Sequence, residues 1–440
     1  MTDSHVRPPR TDWSGAGFET RQVHAGELNE GEYGARIAPI YLTGAYRFDS
    51  FEQTHARFVG TEEGEFYSRH SNPTNAVAER RIADLEGGTG AVAVASGSAA
   101  IAATLLALAQ AGDHFVSQAS IYSGTRVIFA RALERTGITV DWVWNHRDEA
   151  EWEAAIGPDT KAIFVETIPN PKGDLADIAL VARVASRHGL PIVADNTVAT
   201  PYLLRPLGQG AHVVVHSATK YLTGHGAALS GVIVDGGTFD WAAYADRYPL
   251  LATRQSPLVP SFLERFGPAR AFEGYVRNTS VNDFGAALSP LHGFLLQQGL
   301  ETLSLRLERH LANAQQVAEW LAADPRVESV DYAGLPSHAH HDLAQRDFRG
   351  YGGAVFSFTV PGGQDAAARV IDALTVFSRM TNIGDTRSMV LHPATTTHVR
   401  FGDEIRARLG IHPGLIRLSI GLETADDLIA DLDSALAADS

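Results

Sequence analysis

The chain of 440 residues contains no cysteine. That excludes disulfides, thiolate nucleophiles and cysteine-ligated zinc or iron–sulfur centres. It also lacks a basic excess: 36 Lys and Arg stand against 51 Asp and Glu, a formal net charge of −15. Proteins that track a nucleic-acid backbone need clustered cations, so no nucleic-acid partner is expected. No apolar run reaches the ~20 residues that cross a bilayer, and no membrane partner is expected either. The N-terminal "MTDSHVRPPRTDW" carries Asp3 and Asp12 and no apolar core, unlike a signal peptide. A cytoplasmic location is the expectation these absences leave.

What is present is the composition of a globular protein with a large core, 45% hydrophobic and 20% charged,. Residues 1–60 are rich in Gly, Pro and aromatics and read as an extended arm. "NAVAERRIADLEGG" is an amphipathic helix stopped by Gly87 and Gly88,. Seven apolar runs follow, at 91–96, 114–118, 138–143, 161–167, 190–196, 212–217 and 231–236. Helical stretches separate the first five. Strands that are apolar throughout imply a mostly parallel sheet covered on both faces. Residues 61–285 are thus expected to form a large α/β unit. Residues 286–440, with a long helical stretch, strands at "RVESVDY" and "GGAVFSFTV" and a last helix after Thr424, are expected to form a smaller α+β unit.

In an open α/β sheet, ligands bind beyond the carboxyl ends of strands. There the sequence offers "SGSAAI" with Gly97 and Ser98, "SIYSGT" with Tyr122, "ETIPNP" with Asn170, "ADNT" with Asp195, and "VHSATKYLTGHG" with Ser217, Thr219 and Lys220. A small turn opening a helix can hold an anion on its free N–H groups. A lysine delivered by the buried run "HVVVHS" is desolvated, which favours the neutral amine and drives its pKa well below the reference of about 10.4. A neutral amine attacks carbonyls. Together these parts match pyridoxal phosphate. Lys220 serves its aldehyde; Gly97, Ser98, Ser217 and Thr219 its phosphate; Asp195 its ring nitrogen; and Tyr122 its stacking face. Other readings fit less well. The glycines of "GGTGAVAV" precede their strand, the wrong order for a dinucleotide turn. In "SHAHHD", His338, His340 and His341 cannot all face one ion from a regular element, so a solvated loop and no metal are expected.

The segment "ADNTVATPYLLRPLGQGAHVVVHSATKYLTGHG" resembles the cofactor-attachment pattern of the Cys/Met-metabolism enzymes that use pyridoxal phosphate. The likeness runs from "FETRQVHAG" to "LIRLSIGLETADDLIADL". It implies the type I aminotransferase-like fold, with Lys220 carrying the cofactor and Lys220, Tyr122 and Asp195 as the catalytic group. "EFYSRHSNPT" is similar to the family segment whose Tyr and Arg, here Tyr67 and Arg69, reach a neighbouring subunit's cofactor. That implies a homo-oligomer, a tetramer built from catalytic dimers. By the same resemblance Arg417 in "LIRLSIGLE" holds the substrate carboxylate, with Asn170 and Ser388 beside the cofactor and that carboxylate.

Several stretches, "PIYLTGAYRFDS" and "FGPARAF" among them, look most like the O-acetylhomoserine sulfhydrylase subgroup. Arg387 stands where relatives that handle cystathionine have a glutamate, and a cation there would repel a distal ammonium group. The implied reaction is γ-replacement on an amino-acid ester with sulfide or methanethiol. A methionine γ-lyase or cystathionine γ-synthase activity is the alternative.

Overall fold

The computed structural model describes residues 12–27, 34–254, 256–257 and 259–438. Residues 1–11 and 28–33 of the expected arm therefore lie outside the described residues. All seven apolar runs are strands: β1 (Gly90–Val94), β2 (His114–Gln118), β3 (Thr139–Val143), β4 (Thr160–Glu166), β5 (Ile192–Asp195), β6 (Val213–His216) and β7 (Gly231–Asp235). They form one sheet in the order β1-β7-β6-β5-β4-β2-β3. Only β7 runs against its neighbours; the other pairings are parallel. The apolar character of these strands has its cause in burial on both faces. Val213, Val214 and Val215 are at most 1% exposed, and each such side chain contributes about 1.5–3 kcal/mol.

Local signals set the helix ends. The helix Pro73–Glu86 begins with the Asn72 side chain accepting the Thr74 N–H and with proline at its first position, where a missing N–H costs nothing. It ends at Gly87, whose φ of 82° suits a residue without Cβ,. The arm is not wholly extended, because Phe18–His24 and Phe51–Val59 are helices. It leaves large apolar side chains in solvent, with Leu42 75%, Phe51 83% and Phe58 68% exposed.

A second sheet holds β8 (Ser329–Asp331), β9 (Val355–Thr359), β10 (Ser378–Arg379), β11 (Met389–Leu391) and β12 (Leu415–Ser419), in the order β10-β11-β12-β9-β8. The helices Pro290–Leu300 and Leu303–Ala323 lead into it. One hydrophobic core contains Ile163 and Val214 of the first sheet and Phe356 and Leu418 of the second. The two sheets are therefore held against each other by continuous packing, which fixes the segment after β10 relative to the strand ends of the first sheet.

The histidine-rich loop departs from expectation. It is not solvated. His340 is buried, with its ring 5.4 Å from His146 and 5.5 Å from His338. His340 Nδ1 and His146 Nε2 both approach the Leu175 carbonyl, at 3.1 and 3.2 Å. The loop packs onto the turns that follow β3 and β4, a contact between distant segments that local sequence does not reveal.

Candidate active site

Strands β1, β2, β4, β5 and β6 point the same way, and a cleft of about 240 Å³ lies at their carboxyl ends. Every residue expected to touch the cofactor lines it except Tyr67 and Arg69.

At one end the helix Gly97–Leu108 starts beneath the cleft, with Ser96 Oγ accepting the Ala99 N–H at 3.1 Å. The N–H groups of Gly97 and Ser98 belong to the first turn, which has no intrahelical acceptors for them. Gly97 is required there, since a Cβ would lie 2.5 Å from the Ser217 Cβ. The Thr219 hydroxyl is engaged in both directions, donating to the Ser230 carbonyl at 3.1 Å and accepting its N–H at 2.9 Å. Ser217 is the freer hydroxyl.

On the floor, Asp195 Oδ1 accepts the Thr197 N–H at 3.0 Å and the Thr197 hydroxyl at 2.5 Å. Burial pushes its pKa up, while those two donors and the His216 charge pull it down. Asn170 lines the cleft with its side-chain oxygen buried and without a partner among the described residues. Tyr122 stands at the mouth, 43% exposed. Burial and then the Glu166 carboxyl raise its pKa, against a smaller effect of Arg417, so the phenol keeps its proton at neutral pH. Leu229, 62% exposed, completes the open side.

Lys220 follows β6 and turns its amine to Asn382 Oδ1, 2.5 Å away. Burial first, and Arg417 second, lower its pKa to about 8, so roughly a tenth of the amine is neutral at pH 7, far more than for an ordinary lysine. Arg417, on β12, is 1% exposed and lies under the Met380–Asn382 backbone, with one guanidinium nitrogen 3.0 Å from the Asn382 carbonyl. Its Nε is buried and unpartnered among the described residues. Burial lowers its pKa to about 10, which leaves it charged.

Two expectations change. Ser388 does not reach the cleft: its hydroxyl donates to Glu423 Oε2 at 2.8 Å and accepts the Gly421 N–H at 2.8 Å, so it braces the turn after β12. Arg387 folds back onto Asp385, with Nε 2.9 Å from Oδ1, and its side chain is 66% exposed. It is not on the cleft wall, and the repulsion argued for it has no footing here. Tyr67 and Arg69 lie away from their own chain's cleft, the guanidinium 5.0 Å from the Tyr67 ring centre. Several cleft residues escaped the sequence reading. Thr197 and Glu166 sit within motifs already quoted, while Thr381 and Ile383 line the cleft from a short connection with no periodicity, which also carries Asn382, the partner of Lys220.

Pyridoxal phosphate fits these residues on independent counts. A helix start that only glycine permits faces the cleft at one end, a buried carboxyl lies on the floor, an orphaned amide oxygen points in from Asn170, and a lysine with a lowered pKa stands opposite. Fold and site together define a pyridoxal-phosphate-dependent enzyme. Residues 19–437 match the model of the family described as Cys/Met metabolism PLP-dependent enzyme, and the chain belongs to that family.

Among its relatives, the chain is 45% identical over 435 residues to O-acetyl-L-homoserine sulfhydrylase of Corynebacterium glutamicum, covering 98% of this chain and 100% of that one. It is 43% identical over 430 residues to O-succinylhomoserine sulfhydrylase of Pseudomonas aeruginosa, covering 97% of each. A Campylobacter jejuni crystal structure, described as an O-acetylhomoserine (thiol)-lyase with a pyridoxyl-lysine monophosphate, superposes with a TM-score of 0.92 at 37% identity. It covers 96% of this chain and 100% of that chain. Cystathionine γ-lyase of Lactobacillus plantarum follows the same fold with a TM-score of 0.81 at 35% identity, over 96% and 99% of the two chains.

Proposed function

We propose that this enzyme catalyses γ-replacement on O-acetyl-L-homoserine. The Cγ–O bond to acetate breaks, a Cγ–S bond to sulfide forms, and homocysteine and acetate leave. The observation that carries this reading is the 45% identity along 435 residues to an O-acetyl-L-homoserine sulfhydrylase, joined to a cleft whose lysine has its pKa lowered to about 8 by burial and by a buried arginine nearby.

Bound pyridoxal phosphate supplies an aldehyde for the substrate amine and a sink for electrons released at Cα. The chain's residues do the rest. The Arg417 fork, with its unspent Nε, suits the planar α-carboxylate,. Lys220 takes the Cα proton and later returns one, a task its pKa near 8 allows at neutral pH,. Tyr122, still protonated, is the nearby acid for the γ-side chemistry. Asp195 holds the ring nitrogen, and Asn170 offers its free amide to the cofactor's edge.

Tyr67 and Arg69 serve the cleft of a second copy, with residues 61–285 as the cofactor unit and 286–440 as the smaller one. The exposed Leu42, Phe51 and Phe58 then lie in an assembly of catalytic dimers, a tetramer in the cytoplasm.

A product assay tests the reading. O-acetyl-L-homoserine with sulfide is expected to give homocysteine, and much less product is expected from the O-succinyl ester. Formation of 2-oxobutanoate and ammonia at comparable rate without any thiol would replace this reading with a γ-lyase.

A further inference from the structure

β4 and β5 run parallel in register, and Glu166 stands directly opposite Asp195, on strands about 4.8 Å apart. Both carboxyls are buried and both line the cleft. Their partners differ. Asp195 takes two good donors from Thr197, at 3.0 and 2.5 Å. Glu166 takes the Tyr122 N–H on Oε2 at 2.6 Å and only a long contact, 3.4 Å, from the Asn170 N–H on Oε1. Among the described residues no cation pairs with Glu166; the charged groups across the cleft, Lys220 and Arg417, hydrogen-bond to Asn382 instead. Two like charges on adjacent strands, both buried, do not both ionise readily. The proton settles on the carboxyl whose charged form has fewer donors.

We propose that Glu166 is a positioning residue acting as a neutral carboxylic acid, which ties the backbone of Tyr122 to that of Asn170 and leaves Asp195 as the one negative charge on the cleft floor. The direction of its titration agrees: burial, and then the Asp195 charge, push its pKa well above the usual carboxylate range. The groups facing it are Asp195 from β5 and the Tyr122 phenol, and neither neutralises a second anion. Its value is twofold. The residue that covers one face of the cofactor and the residue that touches its edge are fixed to each other through one side chain. The floor keeps a single charge to match one protonated ring nitrogen. The inference rests on the cleft being the pyridoxal phosphate site, but the state of the carboxyl can be read independently of turnover.

Infrared difference spectra of the full-length holoenzyme at pH 7, wild type minus E166Q, are expected to contain the carbonyl stretch of a protonated carboxylic acid. Carboxylate bands alone would overturn the proposal. Asp235, whose pKa burial raises to about 7, gives a band of its own. A D235N protein removes it while keeping Glu166. It also serves if E166Q fails to fold, since absence of any protonated-carboxyl band in D235N is equally fatal. In cofactor-resolved protein, E166Q is expected to hold pyridoxal phosphate within about threefold of wild type. E166A is expected to bind about tenfold more weakly or worse, because two N–H groups lose their acceptor. An E166Q as weak as E166A would mean that charge, not a neutral tie, is what matters. A protein that binds no pyridoxal phosphate at all would sink the functional reading, and the same difference spectra taken on that protein without cofactor would still read the state of Glu166.

Discussion

The floor of the cleft and the side facing it are built to opposite electrostatic plans. The floor, at the ends of β4 and β5, carries two carboxyls whose hydrogen-bond donors among the described residues are backbone N–H groups and the Thr197 hydroxyl. The facing side carries Lys220 and Arg417, and the acceptors they use are neutral amide and carbonyl oxygens of Asn382. Buried charges are normally paired, because an unpaired one costs several kcal/mol. Among the described residues, none of these groups makes an ion pair. A ligand with a cationic ring nitrogen at one place and a carboxylate at the other supplies such partners, and its orientation is fixed by which end meets which surface. The same arrangement explains the two pKa directions. Lys220 falls to about 8 because burial is joined by a like charge, and Asp195 rises because burial outweighs its two donors.

The contrast is broken most severely by removing one charge from each side. D195N is expected to weaken pyridoxal phosphate binding by roughly 10–100-fold, the equivalent of one charge-assisted hydrogen bond. R417A is expected to raise KM for the amino acid by a similar factor with cofactor affinity unchanged. Dialysis and steady-state kinetics separate the two, and a cofactor defect in R417A would collapse the distinction. A smaller effect is expected at the neutral acceptor. Asn382 Oδ1 favours the protonated amine of Lys220, so N382A should move the midpoint of Lys220 below about 8,. Labelling of that lysine by an acylating reagent against pH, in cofactor-resolved protein, reads the midpoint directly.

The mildest effect lies outside the cleft, at the histidine seam. Burial lowers the pKa values of His146, His338 and His340, with Asp174 opposing it. Below the ordinary value of about 6.5 the unfolded chain then binds more protons than the folded one, so stability falls as pH drops through that value. The melting temperature should decline from pH 7 to pH 5, and decline less in H340N.

What the sequence disclosed follows from burial. The strands that deliver Lys220 and Asp195 are covered on both faces, so they are continuous apolar runs, and the polar residue ending each run stands out. β10 and β11 are two and three residues long, too short for a pattern, and Asn382 lies between them with nothing local to mark it. Glu166 ends a visible strand, yet its importance comes from its neighbour on β5, and pairing across strands is not written in either one. Ser388 was assigned by likeness of motif. Its hydroxyl is taken up by Glu423 and Gly421, a local bracing that only the folded turn creates. The histidines read as polar and hence solvated, whereas their burial depends on segments some 160 to 190 residues away.

The contact between residue 97 and Ser217 has a practical side. With 2.5 Å between a hypothetical methyl carbon and its neighbour, that end of the cavity admits no substitution without moving the turn after β6 that carries Ser217 and Lys220. Leu229, which lines the cleft and faces water, meets no such barrier. Attempts to retune which ester or which thiol the enzyme accepts have room to work at the rim, and almost none at the glycine.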